Sequence, residues 1–289
     1  MPIVTKYAIF CVLNYVLSFA FGQIDELENT LLWKIEGNGI EPSYVFGTLH
    51  LIPRSEFELK EKVLHAFNQC DKLVMELDVS QGNLQSEMIR YAQMKDSLSI
   101  EKFLTEGQYA LVDSVLQETM KIGLEAFKQF KPFVLSTFLI PRYIEGVPAS
   151  FELTFTQLAK QREISIQGLE TIALQMSIFD RIPYEEQAED LADMVANEDT
   201  YKQQYRDMLL TYREENIEQL FQDLARYLDS TLEMEELLTN RNRSWTAQVL
   251  ELARESSTFF AVGAGHLAGP EGLLRLLEKE GFEVTPVLD

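Results

Sequence analysis

Histidine and cysteine are scarce in this chain of 289 residues, with three of the first and two of the second. Cys11 sits in an N-terminal apolar run that reads as a cleavable leader, which leaves Cys70 alone in the mature chain. No intramolecular disulfide can then form, even in an oxidising compartment. Cys70 shares a helical face with Val63 and Phe67 and reads as a small buried apolar side chain, not a reactive thiol. Basic residues are also short: 25 Lys and Arg against 46 Asp and Glu give a formal charge of −21. No basic patch offsets that charge, so nucleic-acid phosphates and anionic lipid surfaces are repelled and no nucleic acid partner is expected. After residue 21 no apolar run approaches the ~20 residues that a membrane helix needs, and no stable span is expected once the leader is gone. The chain has no His-Glu-x-x-His, no Gly-x-Ser-x-Gly and no Walker loop, which argues against common zincins, serine hydrolases and P-loop enzymes. Gly263-x-Gly265-x-x-x-Gly269 is one residue too long for a dinucleotide fingerprint.

Residues 1–22 have the parts of a secretory signal. Lys6 precedes the apolar run 7–21, and Ala20-Phe21-Gly22 forms a small-x-small cleavage site before Gln23. The expected location is secreted or periplasmic. The remainder, 23–289, is expected to be one domain. With 46% hydrophobic and 25% charged residues it can bury a sizeable core, and no low-complexity linker divides it.

Two stretches stand out. Ser43-Tyr-Val-Phe-Gly-Thr-Leu-His50 and Thr258-Phe-Phe-Ala-Val-Gly-Ala-Gly-His266 both run from β-branched and aromatic residues into Gly-x-x-His. Two of three histidines in one local setting, far apart in sequence, are expected to meet in space. Ahead of the first stretch, the strand-like run Leu31 to Glu36 with Gly37-Asn38-Gly39 predicts a hairpin. After it, Ser55 with Glu58 reads as a capping box opening a helix to about Gln69. His65 falls off that helix's apolar stripe and reads as a solvated residue. The next strand runs from Lys72 to Asp78 and carries Glu76.

Strand, helix, strand at this spacing is a βαβ unit, whose parallel strands end at one edge of the sheet. His50 and Glu76 therefore arrive together, at the edge where open α/β sheets bind ligands. Ile164 to Thr171 reads as a short strand bringing a second carboxylate, Glu170, to that edge. Residues 83–160 and 185–255 have helical periodicity, with Leu111, Val115 and Leu116 on one helix and Phe151, Phe155 and Leu158 on another. The Tyr201, Tyr205, Met208 and Tyr212 stripe reads as core, and Arg241 is able to orient a carboxylate bidentately. The strand leading into His266, a helix from Gly272 to Glu280 and a last strand from Phe282 to Thr285 read as a second βαβ unit. The fold predicted is α/β, with a mixed or parallel central sheet from two βαβ pseudo-repeats and a long helical insertion between them.

Two imidazoles and a carboxylate suit a zinc site with one open position for water, and further oxygen ligands shift preference toward manganese. Such an ion lowers the pKa of bound water, so hydrolysis is the natural reaction class. Without metal, one histidine could serve as general base. Gly47-Thr-Leu-His50, Gly263-Ala-Gly-His266, Met75-Glu76-Leu-Asp78, Gly168-Leu-Glu170-Thr171 and Arg241-Asn242-x-x-Trp245 together resemble the TraB/GumN family, over essentially the whole mature chain. That family is similar to Tiki metalloproteases, and more distantly to erythromycin-esterase-like enzymes and ChaN-like haem-binding proteins. The resemblance implies His50, His266 and Glu76 as the metal or catalytic set, with Glu170 as a further ligand, and zinc, manganese or cobalt as the cofactor. It points to a metal-dependent hydrolase acting on peptides. The alternative is a ligand-binding protein of ChaN-like type that captures a peptide or haem without turnover.

Overall fold

A computed structural model describes residues 26–227 and 234–289. The leader assigned to 1–22 lies outside the described residues. Alternating and continuous apolar runs form strands β1 (Leu32–Glu36), β2 (Ser43–Thr48), β3 (Lys72–Met75), β4 (Ser165–Gly168), β5 (Thr258–Gly263) and β6 (Glu283–Pro286). They make one six-stranded mixed sheet in the order β4-β3-β5-β2-β1-β6. The expected hairpin is present: β1 and β2 are antiparallel, and Gly37, Asn38 and Gly39 turn between them, each with positive φ. β2 pairs parallel with β5, Gly47 opposite Val262, and β5 pairs parallel with β3, which pairs parallel with β4. The two motif strands are thus immediate neighbours.

Four mutually parallel strands therefore end at one edge, at Thr48, Met75, Gly168 and Gly263. His50, Glu76, Glu170 and His266 each follow one of these ends within three residues. The first βαβ crossover steps over β5, since β2 and β3 flank it on opposite sides.

Helix α1 (Glu61–Asn68) covers the sheet through Val63, Ala66 and Phe67, leaving His65 exposed as expected. It does not begin at a Ser55 capping box. Ile52 and Pro53 pair with Ala149 and Pro148, and Arg54 N–H donates to Val147 O, so residues just after them are held in a turn and the helix starts after Lys60. β3 also stops short of Asp78, whose carboxylate closes a turn by accepting from Ser80 N–H and Oγ. Cys70 is fully buried, and burial pushes its thiol up to about 12, which suits an inert core residue.

The insertion contains α2 (Leu84–Tyr91), α3 (Glu106–Met120), α4 (Pro132–Leu139), α5 (Phe151–Arg162), α6 (Ile172–Phe179), α7 (Tyr184–Ala196), α8 (Glu198–Arg213) and α9 (Ile217–Tyr227), interrupted by β4. On α3 the inward residues are Val112 and Leu116, and Leu111 faces out. α3, α4 and α7 close a small core of their own around Leu116, Leu135 and Leu191. α5 instead packs on the sheet: Phe151 and Phe155 meet Phe46, Phe67 and Phe259 edge-on or tilted at ring distances of 5.0–5.8 Å. This aromatic contact brings the first turn of α5 over the end of β2. α8 supports that strand end from below, for Tyr212 OH donates to Gly47 O at 2.9 Å and Tyr205 OH to Leu51 O at 2.9 Å. The tyrosine stripe packs on the core, Tyr205 and Tyr212 buried and Tyr201 and Met208 half-buried, and the hydroxyls of Tyr205 and Tyr212 fix the segment that carries His50. Among the described residues, α10 (Asn240–Glu255) and α11 (Leu273–Lys279) are the last helices, α10 following a π-helical turn at Glu235–Thr239. Among the described residues no helix is long and apolar enough to cross a membrane.

The glycine of the first motif is a packing requirement. A methyl group on Gly47 would stand 2.7 Å from Leu267 Cδ1 and 3.1 Å from Ala264 Cα, in the turn that carries His266. Gly47→Ala is expected to cost about 1–3 kcal/mol, the usual range for overpacking, in urea unfolding followed by circular dichroism. An unchanged midpoint would show that this turn yields freely.

Candidate functional site

Around Gly263 the two motifs and the β3 carboxylate come together. A Cβ placed on Gly263 would lie 3.1 Å from Glu76 Oε1, 3.6 Å from His266 Cδ2 and 3.9 Å from His50 Nε2. The glycine thus leaves room for three polar groups from three adjacent strands. Its N–H donates to Glu76 Oε1 at 2.8 Å.

His50 is the open member, its side chain 66% exposed. Its Nδ1 lies 2.8 Å from Glu152 Oε1. Glu152 sits in the first turn of α5, where the helix dipole favours a carboxylate, and also accepts from Thr48 Oγ1 and Ser150 Oγ. Protein crowds the ring on the sides away from solvent. That desolvation disfavours the imidazolium, but the Glu152 hydrogen bond and the charges of Glu76 and Glu152 outweigh it and raise the His50 pKa to about 9. Glu152 is lowered in turn, burial being outweighed by its bond to His50.

His266 has the opposite setting. It is buried beside Trp245, with ring centroids 4.4 Å apart. Asn242 Nδ2 donates to the backbone carbonyls of Glu271 and His266, which fixes its amide so that Oδ1 accepts from His266 Nδ1–H at 2.7 Å. The lone pair is then on Nε2, which accepts from Arg241 Nη1 at 3.1 Å. Burial drives the His266 pKa down to about 3, with Arg241 and His50 opposing the attraction of Glu76. His266 is neutral at pH 7.

Arg241, from the first turn of α10, binds the whole edge together. It clasps Glu170 through Nε and Nη2 at 2.9 and 3.0 Å, reaches Glu76 Oε2 from Nη2 at 2.5 Å, and lies over the Trp245 ring at 4.6 Å. Trp245 Nε1 adds a third bond to Glu170 at 3.0 Å. Burial works against a charged Glu76, yet Arg241, the two histidines and Gly263 N–H hold it well below the usual carboxylate range. A cavity of about 230 Å³ opens beside the cluster, lined by His50, Glu76, Leu77, Val79, Glu152, Gln175 and Ala261.

The donor types are those of a zinc site, but their arrangement does not fit a divalent ion. The guanidinium occupies the His266 lone pair, one Glu76 oxygen and both Glu170 oxygens. Among the described residues no group of three or more His, Cys, Asp or Glu side chains is arranged to hold a metal. His50, Glu76 and His266 lie together as their motifs predict, while Glu170 stands behind Arg241. Glu152 was missed: an acidic residue in a helix's first turn after a serine cap carries no mark in sequence that separates it from ordinary capping. The bidentate role expected of Arg241 is present, with Glu170 as its carboxylate.

The chain belongs to the TraB/PrgY/gumN family, whose family model matches residues 31–286. No curated protein and no solved structure matches the chain.

The buried neutral histidine has a consequence for stability. An unfolded chain protonates His266 near 6.5, whereas the folded chain does so only near 3. Between these values the unfolded state binds more protons, so stability falls as pH falls. His50 has the opposite shift, and its contribution is complete and constant below about 6.5. The melting temperature should therefore decline between about pH 6.5 and 5, above the main carboxylate range, and His266→Gln should flatten that decline. Parallel curves for the two proteins would count against a buried neutral His266.

Proposed function

We propose that this chain is a hydrolase of neutral or cationic acyl compounds, peptides foremost, in which His50 takes the proton of the attacking water. The observation that carries this reading is the His50–Glu152 pair, an imidazole open to the cleft with a carboxylate on its far nitrogen. Glu152 keeps the proton on Nδ1, so Nε2 is the basic atom facing the cavity, and a base oriented by a second group is what general-base catalysis needs. Glu76 and Glu152 line the cavity and repel anionic substrates such as phosphate esters, whereas peptide N–H groups find acceptors there. Gln175 reaches Glu76 at only 3.4 Å, and we assign its amide to the substrate carbonyl. At about 230 Å³ the cavity is smaller than the roughly 300–1,000 Å³ of sites enclosing a whole ligand. That size favours one residue of a longer substrate over a haem.

A second reading is the divalent-metal hydrolase, with zinc, manganese or cobalt at His50, Glu76 and His266. One feature favours it: three carboxylates, Glu76, Glu152 and Glu170, share this cluster with a single guanidinium. It requires Arg241 to withdraw from His266 and Glu76. On the sequence of 1–22 we also propose a secreted or periplasmic location, which N-terminal sequencing of the exported chain tests at the bond before Gln23.

Hydrolysis of a mixed peptide library across a pH series tests the enzyme reading. kcat/KM is expected to rise with pH and level off above about 9, where His50 is neutral. His50→Ala should lower it by about 10²–10⁴-fold. Glu152→Gln removes a charge that raises the His50 pKa, so the inflection should move down, toward about 6.5. Activity that chelators abolish and zinc or manganese restores selects the second reading. His50-dependent capture of peptide without cleavage makes the protein a binder.

A further inference from the structure

All five N–H groups of the Arg241 guanidinium have acceptors. Nε and one Nη2 hydrogen go to Glu170, the other Nη2 hydrogen to Glu76, and the Nη1 pair to His266 Nε2 and to Leu237 O. This is the full capacity of the side chain. Three of its four partners, two carboxylates and a neutral imidazole with an outward lone pair, are the donor types of a zinc or manganese site. Burial of the carboxylates demands a positive partner, and the guanidinium, stacked on Trp245, supplies it permanently because it does not lose its proton.

We infer that Arg241 is the resident cation of this site: its guanidinium fills the position at which Glu76, Glu170 and His266 would otherwise hold a divalent ion. The wild-type chain is closed to metal there, and removing the guanidinium opens a metal site. The donors now stand 2.5–3.1 Å from guanidinium nitrogens. These are three different nitrogens, so closing on a single ion at about 2.0–2.2 Å requires the two glutamate side chains to swing in by roughly 1–2 Å. Asn242 keeps His266 Nε2 unprotonated whether or not the arginine is present, as the hydrogen-bond partner of a metal-binding histidine does.

Metal content and titration calorimetry with zinc or manganese, on the wild type, Arg241→Ala and Arg241→Lys, test this without reference to activity. The wild type and Arg241→Lys, which keep a cation in place, should retain no stoichiometric metal at this site. Arg241→Ala should take up about one equivalent and gain thermal stability from it, because binding to the folded state alone stabilises that state. The uptake should be lost when His266→Ala is added. Where Arg241→Ala folds poorly, the same measurements are made on Arg241→Gln and on protein refolded with the metal. The inference is overturned if the wild type binds one equivalent that His266→Ala abolishes, or if neither neutral variant takes up metal under any of these conditions. Failure of peptide hydrolysis leaves these outcomes unaffected, so the two readings fail separately.

Discussion

The buried Arg241 fork is the constraint on which the edge of the sheet depends. Parallel strands ending together deliver Glu76 and Glu170 into a region with little solvent, where an unpaired carboxylate would cost several kcal/mol. One guanidinium holds both and reaches the imidazole of a third strand. It comes from α10, whose next residues, Asn242 and Trp245, hold His266 and Glu170. A single turn and a half of helix thus secures both sides of the site. Truncating a buried charge that serves so many partners typically costs 3–5 kcal/mol, so the fork orders the fold as well as the chemistry.

Against this fixed centre the two histidines diverge. Their motifs share the Gly-x-x-His pattern, and their strands are paired, yet one residue separates the glycines in register, Gly47 facing Val262 and Thr48 facing Gly263. Gly47 packs against the His266 turn, while Gly263 makes space for Glu76. His50 extends into the cleft beside a carboxylate and gains basicity, whereas His266 is sealed under α10 beside an amide and loses it. Groups of one type driven to opposite pKa values by their surroundings are a common basis for dividing roles within a site.

Much of this was legible in the amino-acid order. The β1–β2 hairpin, the parallel strands ending in Gly-x-x-His, and the meeting of His50, Glu76 and His266 follow from periodicity and from the rule that parallel strands share an edge. What escaped was set by contacts distant in sequence. Ser55 has the signature of a helix cap, but the pairing of Ile52 and Pro53 with residues nearly a hundred positions later overrides it. Glu152 acquires its importance only because Phe151 and Phe155 dock α5 on the aromatic core. The carboxylate expected as a free ligand, Glu170, is taken by an arginine seventy-one residues away. Local pattern located the edge; the pairing of charges across it depended on tertiary packing.

The division of roles at this site is tested most directly by the protonation of the two histidines, read by nitrogen-15 correlation spectra of imidazole-labelled protein over a pH series. With only three histidines in the chain, assignment by His50→Gln and His266→Gln is straightforward. His50 is expected to be charged at neutral pH and to lose its proton with a midpoint near 9. His266 is expected to stay neutral, with the proton on Nδ1, throughout the range in which the protein remains folded. Titration of both rings together near the ordinary value of about 6.5 would contradict that division of roles.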